Sequence, residues 1–131
     1  MKRTLTALTL AAATALSAPA HAGGVISFEV EARNANDAQA IGILLGTYQV
    51  MNDIKANGHI TQNGMNNIAA MAQRGTGNVG VIHQEGDNHD ASLQQTGNHN
   101  AYGIFQVGNG ASGHVDQAGN GQAGLLFQIG F

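Results

Sequence analysis

The sequence predicts an all-β fold, a β-solenoid or cross-β stack of 22-residue strand–turn–strand–turn coils with two facing parallel sheets. Three columns of residues predict it. Gln stands at Gln62, Gln73, Gln84, Gln95, Gln106, Gln117 and Gln128, eleven residues apart without a slip. Gly follows two places later each time, at Gly64, Gly75, Gly86, Gly97, Gly108, Gly119 and Gly130. Two places before each Gln the residue is apolar: Ile60, Met71, Ile82, Leu93, Ile104, Val115 and Leu126. A fixed period in three columns is the signature of a repeat architecture, in which each unit completes its core only against its neighbours.

An eleven-residue period also suits a right-handed coiled coil. The turn clusters exclude it. Each unit carries a Gly- and Asn-rich run such as Gln62-Asn-Gly-Met-Asn-Asn67. Gly costs about 1 kcal/mol in a helix interior and Asn favours turns, so a helix would be interrupted in every unit. Read as β, about seven residues alternate in character and about four turn the chain.

Alternation assigns the faces, because successive side chains of a strand point to opposite sides. Asn67-Ala69-Met71-Gln73 forms one row, followed by Asn78-Gly80-Ile82-Gln84, His89-Ala91-Leu93-Gln95 and Asn100-Tyr102-Ile104-Gln106. The regular row is expected inside: amide, small, large apolar, Gln. A small residue opposite a large one lets the facing strands approach. Two units close one coil, so Gln62, Gln84, Gln106 and Gln128 fall in one amide ladder and Gln73, Gln95 and Gln117 in the other. Stacked amides bond to the coils above and below, which satisfies buried polar groups that would otherwise be costly. The apolar column forms the matching core ladders, and Gly64, Gly75, Gly86, Gly97, Gly108 and Gly119 are the expected turn glycines.

The chain divides into three segments. Residues 1–22 read as a secretory signal peptide: Lys2 and Arg3, an apolar run from Leu5 to Leu16, then Ala20-His21-Ala22 in the small-x-small form of a cleavage site. Residues 23–55 form an irregular segment, a cap or a targeting segment. In it Val25 to Ala32 alternates as a strand, with Ile26, Phe28 and Val30 on one face and Ser27, Glu29 and Glu31 on the other. Arg33 to Asp37 reads as a turn, Ala38 to Val50 as one or two degenerate strands, and Asn52 to Gly58 as a loop. Residues 56–131 are the repeat domain, beginning with a strand near Ala56 to Gln62. At its far end, Gln122 to Gln128 is expected to leave an unpaired edge, the kind of row that invites pairing with another chain.

Composition narrows the function. Without Lys2 and Arg3, three basic residues (Arg33, Lys55, Arg74) face eight acidic ones, a net charge of −5. That balance disfavours nucleic acid and anionic membrane as partners. There is no cysteine, hence no disulfide and no thiol nucleophile.

The repeat resembles that of the curlin family, Ser-x5-Gln-x-Gly-x2-Asn-x-Ala-x3-Gln. Gln62-x-Gly64-x2-Asn67-x-Ala69-x3-Gln73 matches all but the leading Ser. Gln84-x-Gly86 with Ala91 and Gln95 follows, with His89 in the Asn position; Gln95-x-Gly97-x2-Asn100 carries Tyr102 in place of Ala. Gln106-x-Gly108-x2-Ala111 reaches Gln117 without the Asn or the Ala. The resemblance covers about residues 56–131. It implies a secreted structural subunit that self-assembles into extracellular functional amyloid at the bacterial cell surface, for adhesion and biofilm matrix, in a major or a nucleating role. It also implies as partners the chain itself, another curlin subunit, and outer-membrane export and assembly machinery. The expectation for the free chain is disorder until it folds on a growing end.

Other signals are weaker. The outward residues of one sheet, Val81, Phe105, Leu125 and Phe127, suggest a face for lateral fibre association. Of the six His, His21 falls in the signal peptide and His83, His89, His99 and His114 occupy different slots; no pair has a metal-ligand spacing backed by carboxylates, and they read as solvated. Asp87 and Asp90 read as charges that slow premature assembly by stacked repulsion. Ser92 and Ser112 show no His and Asp arrangement, so neither an enzyme, a cofactor nor a small-molecule substrate is expected. The competing class is a monomeric secreted β-solenoid that binds polysaccharide or another surface along one face.

Overall fold

The structure, a computed structural model, describes residues 24–51 and 58–131. The signal-peptide reading of residues 1–22 and most of the loop read at 52–58 lie outside them. In chain order the elements are β1 (Val25–Glu31), α1 (Ala35–Met51), β2 (Gly58–Asn63), β3 (Ile68–Arg74), β4 (Val79–Asp87), β5 (Asp90–Thr96), β6 (Ala101–Asn109), β7 (Ser112–Ala118) and β8 (Ala123–Gly130).

β2 to β8 wind as a β-solenoid. Alternate strands join one of two sheets, β2-β4-β6-β8 in sheet A and β3-β5-β7 in sheet B. Every pairing within this set is parallel, and each residue meets the one 22 positions on, as Ile82 meets Ile104 and Gln95 meets Gln117. The core between the sheets holds Ile82, Ala91, Leu93, Tyr102, Ile104 and Leu126, with Ala69, Met71 and Val115 partly buried at its ends. Gly80 and Gly113 set its thinness. A methyl group on Gly80 would lie 2.9 Å from Met71 Sδ and 3.0 Å from Leu93 Cδ2, distances that leave no room for a side chain.

Two expectations for the N-terminal segment are corrected. Residues 35–51 form a helix, not degenerate strands. Asn34 caps it, its Oδ1 accepting from the Asp37 N–H at 2.9 Å while Asp37 Oδ2 accepts from the Arg33 N–H at 3.3 Å. The first bond satisfies a donor that the first helical turn leaves without a partner, and the second ties the chain just before the cap to the same turn. Ile41, Leu45 and Tyr48, spaced as one helical face, pack with Ala38 against Val81, Ala101, Leu125 and Phe105 on the outside of sheet A. Packing on that face outweighs the roughly 1 kcal/mol that each of Gly42 and Gly46 costs a helix.

The second correction concerns the end of the solenoid. β8 is not an open edge, because β1 pairs with it antiparallel from Val25↔Gly130 to Glu31↔Gly124. The alternation read in β1 now has a physical meaning. Its polar row turns toward the core at the mouth of the last coil, and Ile26 and Phe28 lie half-exposed outside.

Candidate assembly interface

The two amide ladders run the length of the solenoid. Gln62 Nε2 donates to Gln84 Oε1 at 2.9 Å, Gln84 to Gln106 at 2.8 Å and Gln106 to Gln128 at 2.7 Å. On the opposite strands Gln73 donates to Gln95 at 2.7 Å and Gln95 to Gln117 at 2.9 Å. The second amide hydrogen goes to a backbone carbonyl across the core, from Gln84 to Ile68, Gln95 to Val79, Gln106 to Asp90 and Gln128 to Ser112. Gln84, Gln95 and Gln106 are fully buried, Gln117 and Gln128 nearly so, and Gln62 is exposed at the first coil. The apolar column grades in the same way: Ile82, Leu93, Ile104 and Leu126 are buried, Met71 and Val115 partly so, and Ile60 is 38% exposed.

Asn supports the turns. Asn78 Oδ1 accepts the Asn100 N–H, Asn100 Oδ1 accepts the Gln122 N–H, and the Asn78 and Asn100 Nδ2 groups donate to the carbonyls of Gly97 and Gly119. His89, expected in solvent, is a buried member of this column. Its Nδ1 accepts the Ala111 N–H at 3.1 Å, leaving Nε2 to donate to the Glu85 carbonyl at 3.1 Å. The imidazole thus repeats two bonds of the Asn amides, the acceptor bond to the next coil and the donor bond to the carbonyl four residues back that Asn78 and Asn100 make to Arg74 and Thr96.

The turn glycines have φ between 94° and 127°. At Gly64, Gly75, Gly86, Gly97 and Gly108 a Cβ would also strike the carbonyl oxygen of the glycine one coil on. Two residues further lies a left-handed column that sequence reasoning missed: Asn66, Gly77, Asn88, His99, Gly110 and Gly121, with φ from 57° to 72°. Its signal was present, since Asn, Gly and His are the residues most tolerant of this region. It gives the exposed His99 a conformational role.

The outer faces differ from expectation. Helix α1 covers Val81 and Leu125, which are 0% and 6% exposed, so the face read as free for lateral association already carries a partner from its own chain. Phe105 stacks on Phe127 at 5.0 Å, with Tyr48 edge-on to Phe105 at 5.4 Å, and only Phe127 of this set stays open at 39%. Burial raises the Tyr48 phenol above its ordinary pKa, and the Tyr48 hydroxyl meets His83 Nδ1 at 3.2 Å.

On sheet B, Ser92 Oγ lies 2.7 Å from His114 Nδ1, and Asp90 Oδ2 lies 3.9 Å from His114 Nε2. The Ser, His and Asp that the sequence left apart are therefore neighbours. His114 and Asp90 are 60% and 48% exposed on an open strand face, where water competes for each bond and nothing encloses a substrate. Asp87 and Asp90 do not stack on like charges either. Asp87 Oδ1 accepts the Met65 N–H at 2.8 Å, and Asp90 lies between Ile68 and Ser112 in the sheet.

The two ends of the stack are unlike. At the first coil no described strand pairs with the outer edges of β2 and β3, and Met65 and Ile68 are 69% and 64% exposed there. At the last coil β1 covers β8, and β7 has no further strand among the described residues. Ser27 Oγ accepts from Gln128 Nε2 at 3.0 Å, so the cap continues the amide ladder by one rung. Tyr102 reaches over Gly124 to donate to Glu29 Oε1. Below it a cleft of about 200 Å³ opens beside β7, lined by Glu31, Tyr102, Val115, Gln117 and Gln122 among others.

Residues 64–97, covering four turn glycines and the strands between them, match the family model of the curlin associated repeat. Over those residues the chain is similar to the curlin associated repeat. Comparison with curated proteins and with solved structures gives no match. Among the described residues, no helix is long and apolar enough to cross a membrane, and no cluster of three metal-ligating side chains occurs.

Proposed function

We propose that this curlin-repeat chain is a secreted subunit that joins copies of itself end to end in curli-type amyloid fibres at the bacterial surface, contributing to adhesion and biofilm matrix. One observation carries the reading. The first coil presents two parallel strand edges with the inward rows Ile60-Gln62 and Met71-Gln73 in the register that every later coil repeats. The seven strands end on sheet A, so a second copy continuing the lattice would pair its β2 with β7 in sheet B and its β3 with β8 in sheet A, setting Gln62 on Gln117 and Gln73 on Gln128. Stacking of this kind satisfies backbone and amide groups at both faces of the junction. The same reading makes residues 1–22 the export signal, residues 23–55 a separate capping unit, and outer-membrane export machinery and another curlin the partners.

The test follows thioflavin fluorescence of Gly23–Phe131 with and without preformed seeds. A lag abolished by seeds, ending in fibres with the 4.7–4.8 Å strand spacing, is the expected result. Fibres that appear without a lag and seed another curlin would assign the nucleating role. The cap and the helix favour a second reading, a monomeric surface-binding module, because they close part of the stack within one chain. A persistently soluble monomer with a flat thioflavin trace would establish that reading instead.

A further inference from the structure

We propose that β1 is a self-complementing plug. It occupies the β8 edge that a second copy must use, so the chain as folded here can donate its first coil to a neighbour but cannot accept one until β1 leaves. This inference rests on the end-to-end assembly reading.

The geometry makes the two pairings mutually exclusive. Gly58 pairs with Gly80, Gly80 with Tyr102 and Tyr102 with Gly124, each step advancing one coil. The next free slot after β8 lies in sheet B beside β7 and takes β2 of an incoming copy, so one more step of the sheet A register places that copy's β3, from Ala69 to Arg74, on Gly124 to Ile129, and β1 already pairs with all of these residues. The sense differs as well. Every solenoid pairing is parallel, whereas β1 is antiparallel, so it closes the edge without presenting the repeat's own register to the next chain.

Inside, the plug supplies substitutes for the missing copy. Ser27 takes the Gln128 amide that Gln73 of a following copy would take, and Glu29 takes the Tyr102 hydroxyl. The substitution is partial. β1 extends sheet A alone, no described strand extends sheet B beyond β7, and the cleft beside Val115 and Gln117 lies where β2 of the incoming copy would enter. A half-filled acceptor offers an incoming copy a first contact at β7 before β1 is displaced. Glu29 leaves the Tyr102 hydroxyl when β1 departs, so that bond is one latch of the device.

A disulfide lock tests the exchange in the full secreted chain, which has no cysteine of its own. Gly24 and Phe131 exchange both backbone hydrogen bonds. Alternation along the antiparallel pair then makes Ile26 and Ile129 another such pair, with Cα atoms about 5.5 Å apart, within disulfide reach. Both side chains are outside and about half-exposed. The variant Ile26→Cys with Ile129→Cys is compared oxidised and reduced, beside the wild type and Glu29→Ala. The oxidised form should lose self-assembly and regain it on reduction. Added in small amounts to wild-type seeds, it should join through its open first coil and stop growth at that fibre end alone. Glu29→Ala should shorten the lag.

An oxidised lock that elongates as fast as the reduced form, with Glu29→Ala unchanged in lag, overturns the plug while assembly stands. If the wild type does not assemble, the assembly reading fails and the plug with it. If the reduced double variant alone fails to assemble, Glu29→Ala decides: a shortened lag supports the plug and an unchanged one overturns it.

Discussion

The Tyr102 hydroxyl donates to Glu29 Oε1 at 2.6 Å, joining the third coil of the solenoid to a strand 73 residues earlier in the chain. Tyr102 occupies the slot that holds Ala or Gly in the other inward rows, and the missing side chain of Gly124 gives its ring room. Burial first, then the bond to Glu29 and the nearby charges of Glu29 and Glu31, raise the Tyr102 pKa far above its ordinary value of 10.0. The sign of the linkage follows. Above about pH 10 the unfolded chain loses this proton while the folded chain keeps it, so folding stability falls as pH rises further. Thermal melts from neutral to strongly alkaline pH should show that loss in the wild type, with Tyr102→Phe losing less over the same range. At neutral pH the Phe variant should be less stable by about 1.5–3 kcal/mol, the range for a hydrogen bond to a charged group.

His89 tests whether a buried imidazole is acting as an amide. His89→Asn restores the residue of Asn78 and Asn100, keeps an acceptor for the Ala111 N–H, and should change stability by less than about 1 kcal/mol. His89→Leu fills similar space but leaves the Ala111 N–H unpaired, at a cost of about 1–3 kcal/mol. Urea unfolding of the two variants separates a polar role from a space-filling one. Equal destabilisation by Asn and Leu would refute the polar role.

The period, the coil length and the inward identity of the rows are legible because each rests on local alternation repeated over many units. The places where the reading fails lack repetition. Residues 35–51 are apolar nearly all round, with Ile43 and Leu44 exposed while Ile41 and Leu45 are buried, so neither helical nor strand periodicity stands out. The Asn34–Asp37 capping pair is the one local clue, and Asn and Asp serve a turn equally well. The pairing of β1 with β8 spans the whole described chain, and nothing local to either strand announces its partner. Likewise Ser92 and His114 meet only through the register of two strands one coil apart. The position of His89 in the Asn column is visible, but not that an imidazole both accepts and donates there as the column's amides do.

The amide ladders predict a graded response to truncation. Gln95→Ala removes the acceptor of Gln73 and the donor to Gln117 and to the Val79 carbonyl, all at a fully buried site. Each group left unpaired there costs about 1–3 kcal/mol, so the folded chain should be severely destabilised. Gln62→Ala, at the exposed first coil, should leave the unfolding midpoint of the single chain nearly unchanged. It should instead slow seeded elongation, because Gln62 is the rung offered to the next copy. Circular dichroism melts and seeded thioflavin kinetics on the pair read the two effects separately. If Gln62→Ala alters neither, the first coil is not the donor end.

Glycine columns of two kinds predict opposite outcomes. Gly97 has φ of 116°, and a Cβ there would run into the Gly119 carbonyl oxygen of the next coil. Gly97→Ala must therefore break the stacking of two turns, and relaxation of one would displace the Thr76, Asn98 and Asn120 bonds around it. We expect loss of the cooperative fold. Gly121 has φ of 67° with nothing within 4 Å of an added Cβ, in the column that holds Asn at Asn66 and Asn88. Gly121→Asn should be neutral to within about 0.5 kcal/mol. Any gain in stability would come from the unfolded chain, whose freedom Asn narrows relative to Gly. Chemical denaturation of both variants distinguishes steric contact between coils from backbone conformation alone: equal losses at the two glycines would mean that positive φ, not the carbonyl beneath, is what the turn requires.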